Sequence, residues 1–369
     1  MIRLRKLKVG VIGAGMAFAR LHHPAYQQLG DRYEIAAVCD RDAAKARVWA
    51  GRLNLDERSV FTDWREMLRQ KEDLDVIDIM VPIALNFEIT EGVAKTLAGR
   101  RKGIICEKPL APTLEQAEAS RELARKYRIP VMIAENYRYN HEIDLLRDLV
   151  RTGRAGDIYY FIQNRVVDFQ ADMLQDKFPA TEWRQHPEFP GGTVTDTALH
   201  DLAGLRHIFG PVDRLQAFGR PQAAGYSPYA VIQVNLLFKS GVTGHFSFFC
   251  AGREMQRPLI GLRIFGTKGM IYLEERDAGT INLAFNDGRK EQVPYQVQRG
   301  YYNELLNFYN ALTGSEPVSV TPEMEYGDLK TVHDILKSIA EGEIVPVDGE
   351  DTYRPVYAPA LGGQAGIVQ

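Results

Sequence analysis

Cysteine is scarce in this chain: Cys39, Cys106 and Cys250 are the only three in 369 residues, odd in number and far apart. No Cys-x-x-Cys pair occurs and no Cys/His spacing suits a metal, so neither a disulfide framework nor a zinc fold is expected. The thiols read as small core hydrophobes held reduced, which makes the cytoplasm the expected location. Excess charge is missing too. With 45 Lys and Arg against 48 Asp and Glu, the net charge is −3 and leaves no footprint for nucleic acid or an anionic membrane. No apolar run approaches the ~20 residues of a membrane span. The hydrolase hallmarks are absent as well: there is no Gly-x-Ser-x-Gly elbow and no cysteine in an activated setting. His22-His23 has no helical i, i+4 partner and no acid beside it in sequence, so no metal site is expected there.

One segment imitates a secretion signal. Arg3, Arg5, Lys6 and Lys8 precede the apolar run Val9 to Phe18, and Ala17-Phe18-Ala19 resembles a cleavage site. Gly10, Gly13 and Gly15 make that run a poor helix. It reads better as a strand entering a turn.

The first third of the chain alternates short apolar runs with helical ones. Strands are expected at Leu7 to Ile12, Glu34 to Cys39, Val60-Phe61, Val76 to Val81, Gly103 to Cys106 and Pro130 to Ala134. Between them fall helices near Phe18 to Leu29, Ala43 to Leu53, Trp64 to Gln70, Asn86 to Ala98 and Leu114 to Tyr127, the last opened by a capping box at Thr113. Such alternation implies a parallel sheet covered on both faces. After Tyr137 the character changes. One helix, His141 to Arg151, leads into long strand-like runs at Ile158 to Asp168, Tyr229 to Phe238, Val242 to Phe249 and Leu259 to Phe265. Gly266-Thr267-Lys268-Gly269 reads as a hairpin turn before Met270 to Glu274. Late helices are expected near Tyr301 to Leu312 and Tyr326 to Glu341. The expected organisation is an α/β dinucleotide-binding domain with a parallel sheet over 1–136, then an α+β domain over 137–345 built on a large open, mostly antiparallel sheet, then an extended tail over 346–369.

Four motifs carry chemistry. Gly13-Ala14-Gly15 follows the first strand and opens a helix, where a dinucleotide pyrophosphate meets backbone N–H groups. Phe18 occupies the fingerprint position that favours Gly or Ala, so helix and strand should stand slightly apart there. Asp40 ends the second strand, where a carboxylate accepts from the adenine ribose hydroxyls and repels a 2′-phosphate. This favours NAD, although the Arg41 guanidinium keeps NADP as the alternative. Lys108, in Glu107-Lys108-Pro109, sits at the carboxyl edge of the parallel sheet and could stabilise alkoxide character. A surface lysine paired with Glu107 is the plain alternative. Finally, Asp196 and His200 lie four residues apart after Gly191-Gly192, on one helix face and within mutual reach. The imidazole suits a general base, with Asp196 orienting the ring or holding substrate hydroxyls; an ordinary amphipathic helix explains the spacing equally well. His207, two turns on, reads as a packing or surface residue.

Taken in order, these residues resemble the Gfo/Idh/MocA family of oxidoreductases. The resemblance runs from Val11-Ile12-Gly13-Ala14-Gly15, with His23 after it, through Asp40 and Asp75 to Pro82. It continues through Cys106-Glu107-Lys108-Pro109-Leu110, Tyr137-Arg138, Gly191-Gly192 with Asp196 and His200, and the Gly266–Gly269 hairpin. It implies a Rossmann domain, a second domain whose open sheet face makes homodimers or homotetramers, and a hydride passed between NAD (or NADP) and the carbinol carbon of a sugar, inositol or related polyol. Lys108, Asp196 and His200 would then converge on the nicotinamide, with His200 as the acid/base. Cofactor contacts are expected from Gly13, Gly15, Met16, Ala17, Asp40, Arg41, Pro82, Asn86, Glu107 and Lys108. Asn86 stands where the family commonly has histidine, so contacts on the nicotinamide side are expected to differ. Tyr137, Arg138, Arg165, Trp183 and Arg184 are expected to border the substrate. Two other functions remain open to such a chain: an NAD-dependent glycosidase working by transient oxidation, and a non-catalytic NAD-responsive regulator.

Overall fold

The computed structural model describes residues 5–174, 182–257 and 261–347. The expected tail from 348 onward, and the first residues of the run beginning at Leu259, lie outside the described residues.

Six parallel strands form the first sheet: β1 (Leu7–Ile12), β2 (Tyr33–Cys39), β3 (Val60–Phe61), β4 (Val76–Ile79), β5 (Gly103–Glu107) and β6 (Val131–Ala134), in the order β3-β2-β1-β4-β5-β6. Strand order reverses at β1/β4, so the carboxyl ends of those strands leave a crevice between diverging loops, the usual ligand position in such sheets. β4, β5 and β6 are buried along their whole length, and apart from Asp78 in β4 and Glu107 in β5 their residues are apolar or glycine.

The second sheet has nine strands: β7 (Ile158–Val166), β8 (Val212–Pro221), β9 (Tyr229–Phe238), β10 (Thr243–Phe249), β11 (Leu262–Gly266), β12 (Gly269–Leu273), β13 (Thr280–Phe285), β14 (Lys290–Pro294) and β15 (Val345–Pro346). Their order is β14-β13-β12-β11-β7-β10-β9-β8-β15, and only β10–β7 is parallel among the described pairings. The Gly266–Gly269 hairpin forms as expected, with those two glycines paired. Phe161, Val234 and Phe246 point inward against helices, whereas Tyr160, Ile162 and Phe218 stand exposed on the opposite face.

Two sequence expectations shift. The helix after the glycine turn begins with a π-helical turn, Phe18–His22, before the α-helix His23–Gln28. Phe18 itself is fully buried and packs edge-on against Trp49, at 4.7 Å between ring centroids, so its bulk is absorbed sideways by the next helix. The late helices Gly300–Thr313 and Pro322–Glu341 reach back to the first domain. The Tyr33 hydroxyl donates to the Leu305 carbonyl at 2.7 Å, and Ile133 N–H, on β6, donates to the Val320 carbonyl at 3.1 Å.

Candidate active site

At the end of β1, Gly13 adopts φ +95°, and a Cβ there would lie 2.1 Å from the Met80 carbonyl oxygen, so only glycine fits this turn. A Cβ on Gly15 would meet no atom within 4 Å, because that position faces open cleft. Asp40, closing β2, braces the turn: one carboxylate oxygen accepts from Ala14 N–H and the other from Asp42 N–H, both at 2.9 Å. Each oxygen keeps a second lone pair for a ligand hydroxyl.

The cleft has a volume of about 790 Å³. Gly13, Gly15, Met16, Ala17, Asp40 and Arg41 line one end; Pro82, Glu107 and Lys108 line the middle; Arg165, Trp183, Arg184, Asp196 and His200 close the other. It therefore runs from the glycine turn of the first domain to the helix Leu199–Phe209 of the second. Nine of the ten expected cofactor residues share this one cleft. Asn86 does not. It is fully buried, and its amide donates to the carbonyls of Glu107 (2.9 Å) and Pro109 (2.7 Å), so it builds the turn that carries Lys108.

Lys108 reaches across the domains. Its ammonium donates to the Asp196 backbone carbonyl at 2.6 Å and to Asp196 Oδ1 at 3.0 Å, so the expected alternative of a pair with Glu107 does not form. Arg184 Nε donates to Asp196 Oδ2 at 2.9 Å. Burial pushes the Asp196 carboxyl up, but Arg184 and Lys108 outweigh it and hold the group well below the usual carboxylate range. Asp196 lies in a π-helical turn, Val194–Ala198, and its oxygens engage Lys108 and Arg184 rather than His200. The expected Asp196–His200 partnership is corrected accordingly.

His200 is oriented by a different carboxylate. Glu135, just past β6, accepts at 2.7 Å from His200 Nδ1 and at 3.0 Å from Tyr137 N–H. The Tyr137 ring stacks on the imidazole, with centroids 4.4 Å apart and planes 16° from parallel. Glu135 was missed in the sequence, although its place at the carboxyl end of a parallel strand was a usable signal.

Arg138 is a second correction. In the short turn Asn136–Tyr139, Tyr137 faces His200 and Arg138 faces the opposite way. Its guanidinium is buried on Asp328, at 2.8 and 2.6 Å, and does not line the cleft. Trp183 lines the cleft with the Arg184 guanidinium 4.0 Å from its ring centroid. His207 is half-buried and bonded to Asp144 at 2.9 Å, a packing role as expected.

His22 departs furthest from expectation. It is fully buried, with Nδ1 on Asp78 (2.8 Å) and Nε2 on Glu107 (3.0 Å), acids that are remote in sequence. Burial lowers its pKa, but the two carboxylates outweigh burial and raise it well above the ordinary value, which favours the charged ring between them. Among the described residues no cluster of three or more His, Cys, Asp or Glu is arranged to hold a metal. All three cysteines are buried and unbridged; burial pushes the Cys39 and Cys106 thiols up to about 12.

Comparison with known proteins agrees with this architecture. Residues 7–135 match the model of an oxidoreductase family with an NAD-binding Rossmann fold, and residues 143–272 match the GFO/IDH/MocA C-terminal domain. Levoglucosan dehydrogenase of Pseudarthrobacter phenanthrenivorans is 27% identical, over 95% of this chain and 94% of its own. The crystal structure of an oxidoreductase from Thermotoga maritima superposes with a TM-score of 0.80 at 26% identity, covering 93% of this chain and 99% of that one. A structure of levoglucosan dehydrogenase in complex with NADH and L-sorbose has the same fold, with a TM-score of 0.81 at 22% identity and the same coverage. With the NAD-type cradle of the first domain and the matched second domain together, this chain belongs to the Gfo/Idh/MocA family of NAD-binding oxidoreductases.

Proposed function

We propose that the protein is an NAD-dependent dehydrogenase acting on a secondary alcohol of a sugar or a closely related polyol. One observation carries the reading: Lys108 from the first domain and His200 from the second line the same cleft, each already held by its own carboxylate. The open space at Gly15 and the Asp40 carboxylate fit a dinucleotide, with Gly13 to Ala17 at the pyrophosphate and Asp40 at the ribose. NAD, when bound, supplies the acceptor for the hydride leaving the carbinol carbon.

The chain's own residues handle the proton. Lys108 has three N–H donors and uses two on Asp196, which leaves the third for the substrate oxygen. Asp196, held ionised by its two cations, fixes that ammonium in place. With Glu135 accepting from Nδ1–H, the neutral imidazole of His200 has its lone pair on Nε2, and that nitrogen takes the hydroxyl proton. Tyr137 fixes the plane of the ring. As negative charge grows on the substrate oxygen, Lys108 stabilises it.

The sugar class is supported by relatives, among them the levoglucosan dehydrogenase and the structure holding L-sorbose. The buried thiols fit a reducing cytoplasm, and Tyr160, Ile162 and Phe218 on the open sheet face fit contact with a second copy of the chain, which sedimentation velocity checks. The decisive variant is His200→Ala. Its turnover, followed as NADH formation against a panel of sugars and polyols, should fall by about 10²–10⁴-fold while NAD binding by calorimetry persists. Near-native turnover in that variant would refute the assignment of His200 as the base.

A further inference from the structure

Beneath the helix Leu199–Phe209 lies a second chamber, of about 270 Å³, and it meets the cofactor cleft at His200. Arg165, Val167, Asp172 and His200 line both spaces. Whole ligands typically occupy about 300–1,000 Å³, so this chamber is sized for a fragment of one.

Its lining changes along the helix. Near His200 stand Tyr137, Arg165 and Asp201, and two of their polar atoms, Arg165 Nε and Asp201 Oδ2, are buried with no hydrogen-bond partner in the protein. Buried polar groups are normally paired, so these two await one donor and one acceptor, which a hydroxyl supplies. Further along, the lining turns apolar: Ile143, Gly204, Leu205, Ile208, Leu262 and Leu273. The wall also carries Asp172, Asp201, Glu274, Glu275 and Asp277 against Arg165, Arg257 and Arg276, so carboxylates outnumber guanidiniums. A phosphate or nucleotide would be repelled there.

Gly204 is the telling residue. It lies in the middle of a helix, where glycine is the poorest former after proline. A Cβ at this position would meet only Ile143 Cδ1, at an ordinary 3.5 Å. Close packing therefore does not require glycine, and what the missing side chain leaves is open volume on the apolar side of the chamber.

We infer that the chamber receives the part of the substrate beyond the reacting carbon, and that this part is an uncharged apolar aglycone. The substrate class is then an alkyl or aryl glycoside, with its sugar ring at His200 and Lys108 and its aglycone under the helix at Gly204. The inference rests on the proposed reading of the cleft as a sugar dehydrogenase site.

The test is calorimetric titration of the NAD complex with paired ligands, each hexose or pentose against its phenyl glycoside, alongside NADH formation with the same compounds. At least one phenyl glycoside should bind about tenfold or more tightly than its parent sugar, since a buried aromatic ring removes substantial apolar surface from water. Gly204→Val fills the chamber and should cut that glycoside-to-sugar affinity ratio about tenfold, with Gly204→Ala intermediate and at least as heat-stable as the parent protein. Equal binding of sugars and glycosides across the panel overturns the inference, as does a preference that survives in a folded Gly204→Val protein. Tighter binding of a nucleotide sugar overturns it too. Glycoside-selective binding without NADH formation from any compound would instead overturn the dehydrogenase reading and leave the aglycone chamber standing.

Discussion

Two aspartates in this molecule sit between two cations each, and they serve different ends. Asp196 holds Lys108 and Arg184 at the mouth of the cleft, with 9% of its side chain exposed. Asp328 holds Arg138 and Arg206 where all three side chains are at most 1% exposed. The chemistry of the two triads is nearly the same, so residue type does not separate them. Access does. The cleft triad lines an open cleft, and the Lys108 ammonium uses two of its three donors on Asp196. The core triad ties the turn after β6 to the helices Leu199–Phe209 and Pro322–Glu341.

The contrast breaks most visibly at Asp328. Asp328→Ala would take from two buried guanidiniums the carboxylate they share, a loss of about 3–5 kcal/mol of stability, read as a fall in denaturant midpoint at constant slope. Asp196→Asn should leave the midpoint far less changed and, on the proposed mechanism, lower kcat/KM by about 10²-fold, because Lys108 keeps the backbone carbonyl but loses the charged partner that fixes its ammonium. If the two variants exchanged these outcomes, the division into cleft and core would be wrong.

A third buried group sharpens the contrast by inverting it: one basic ring, His22, sits between two carboxylates, Asp78 and Glu107. Its folded-state pKa is raised above the unfolded value near 6.5, so its contribution to stability is fully present below that pH and is lost as pH rises through the folded value. The melting temperature should therefore decline as pH rises above about 6.5, and His22→Gln should show a shallower decline. A slope unchanged in the variant would mean that His22 is neutral in the folded protein. This effect is the smallest of the three.

What the sequence revealed follows the same lines. β1, β3 and the helix Trp64–Gln70 match expectation to the residue, because their apolar periods are clean and their ends are marked by Gly or a capping Asp63. β8 was not anticipated: a register shift between Val212 and Arg214 breaks the alternation that marks a strand. β14 was missed because it is an exposed edge written in Lys, Glu and Gln. That Lys108, Asp196 and His200 line one cleft was legible from motif and position. Their partners were not, since Glu135 is 65 residues from His200 and the π-turn at Asp196 defeats the four-residue rule for a shared face. Arg138 shows the opposite failure. It adjoins Tyr137 in sequence, yet consecutive residues of a tight turn point to different neighbourhoods.

The return of the late helices to the first domain has a consequence for how the protein is made. Tyr33 and β6 emerge from the ribosome well before Leu305 and Val320, which satisfy their hydrogen bonds. Until those residues are made, the first domain presents an unfinished flank to the cell, and its closure waits for translation of the helices Gly300–Thr313 and Pro322–Glu341.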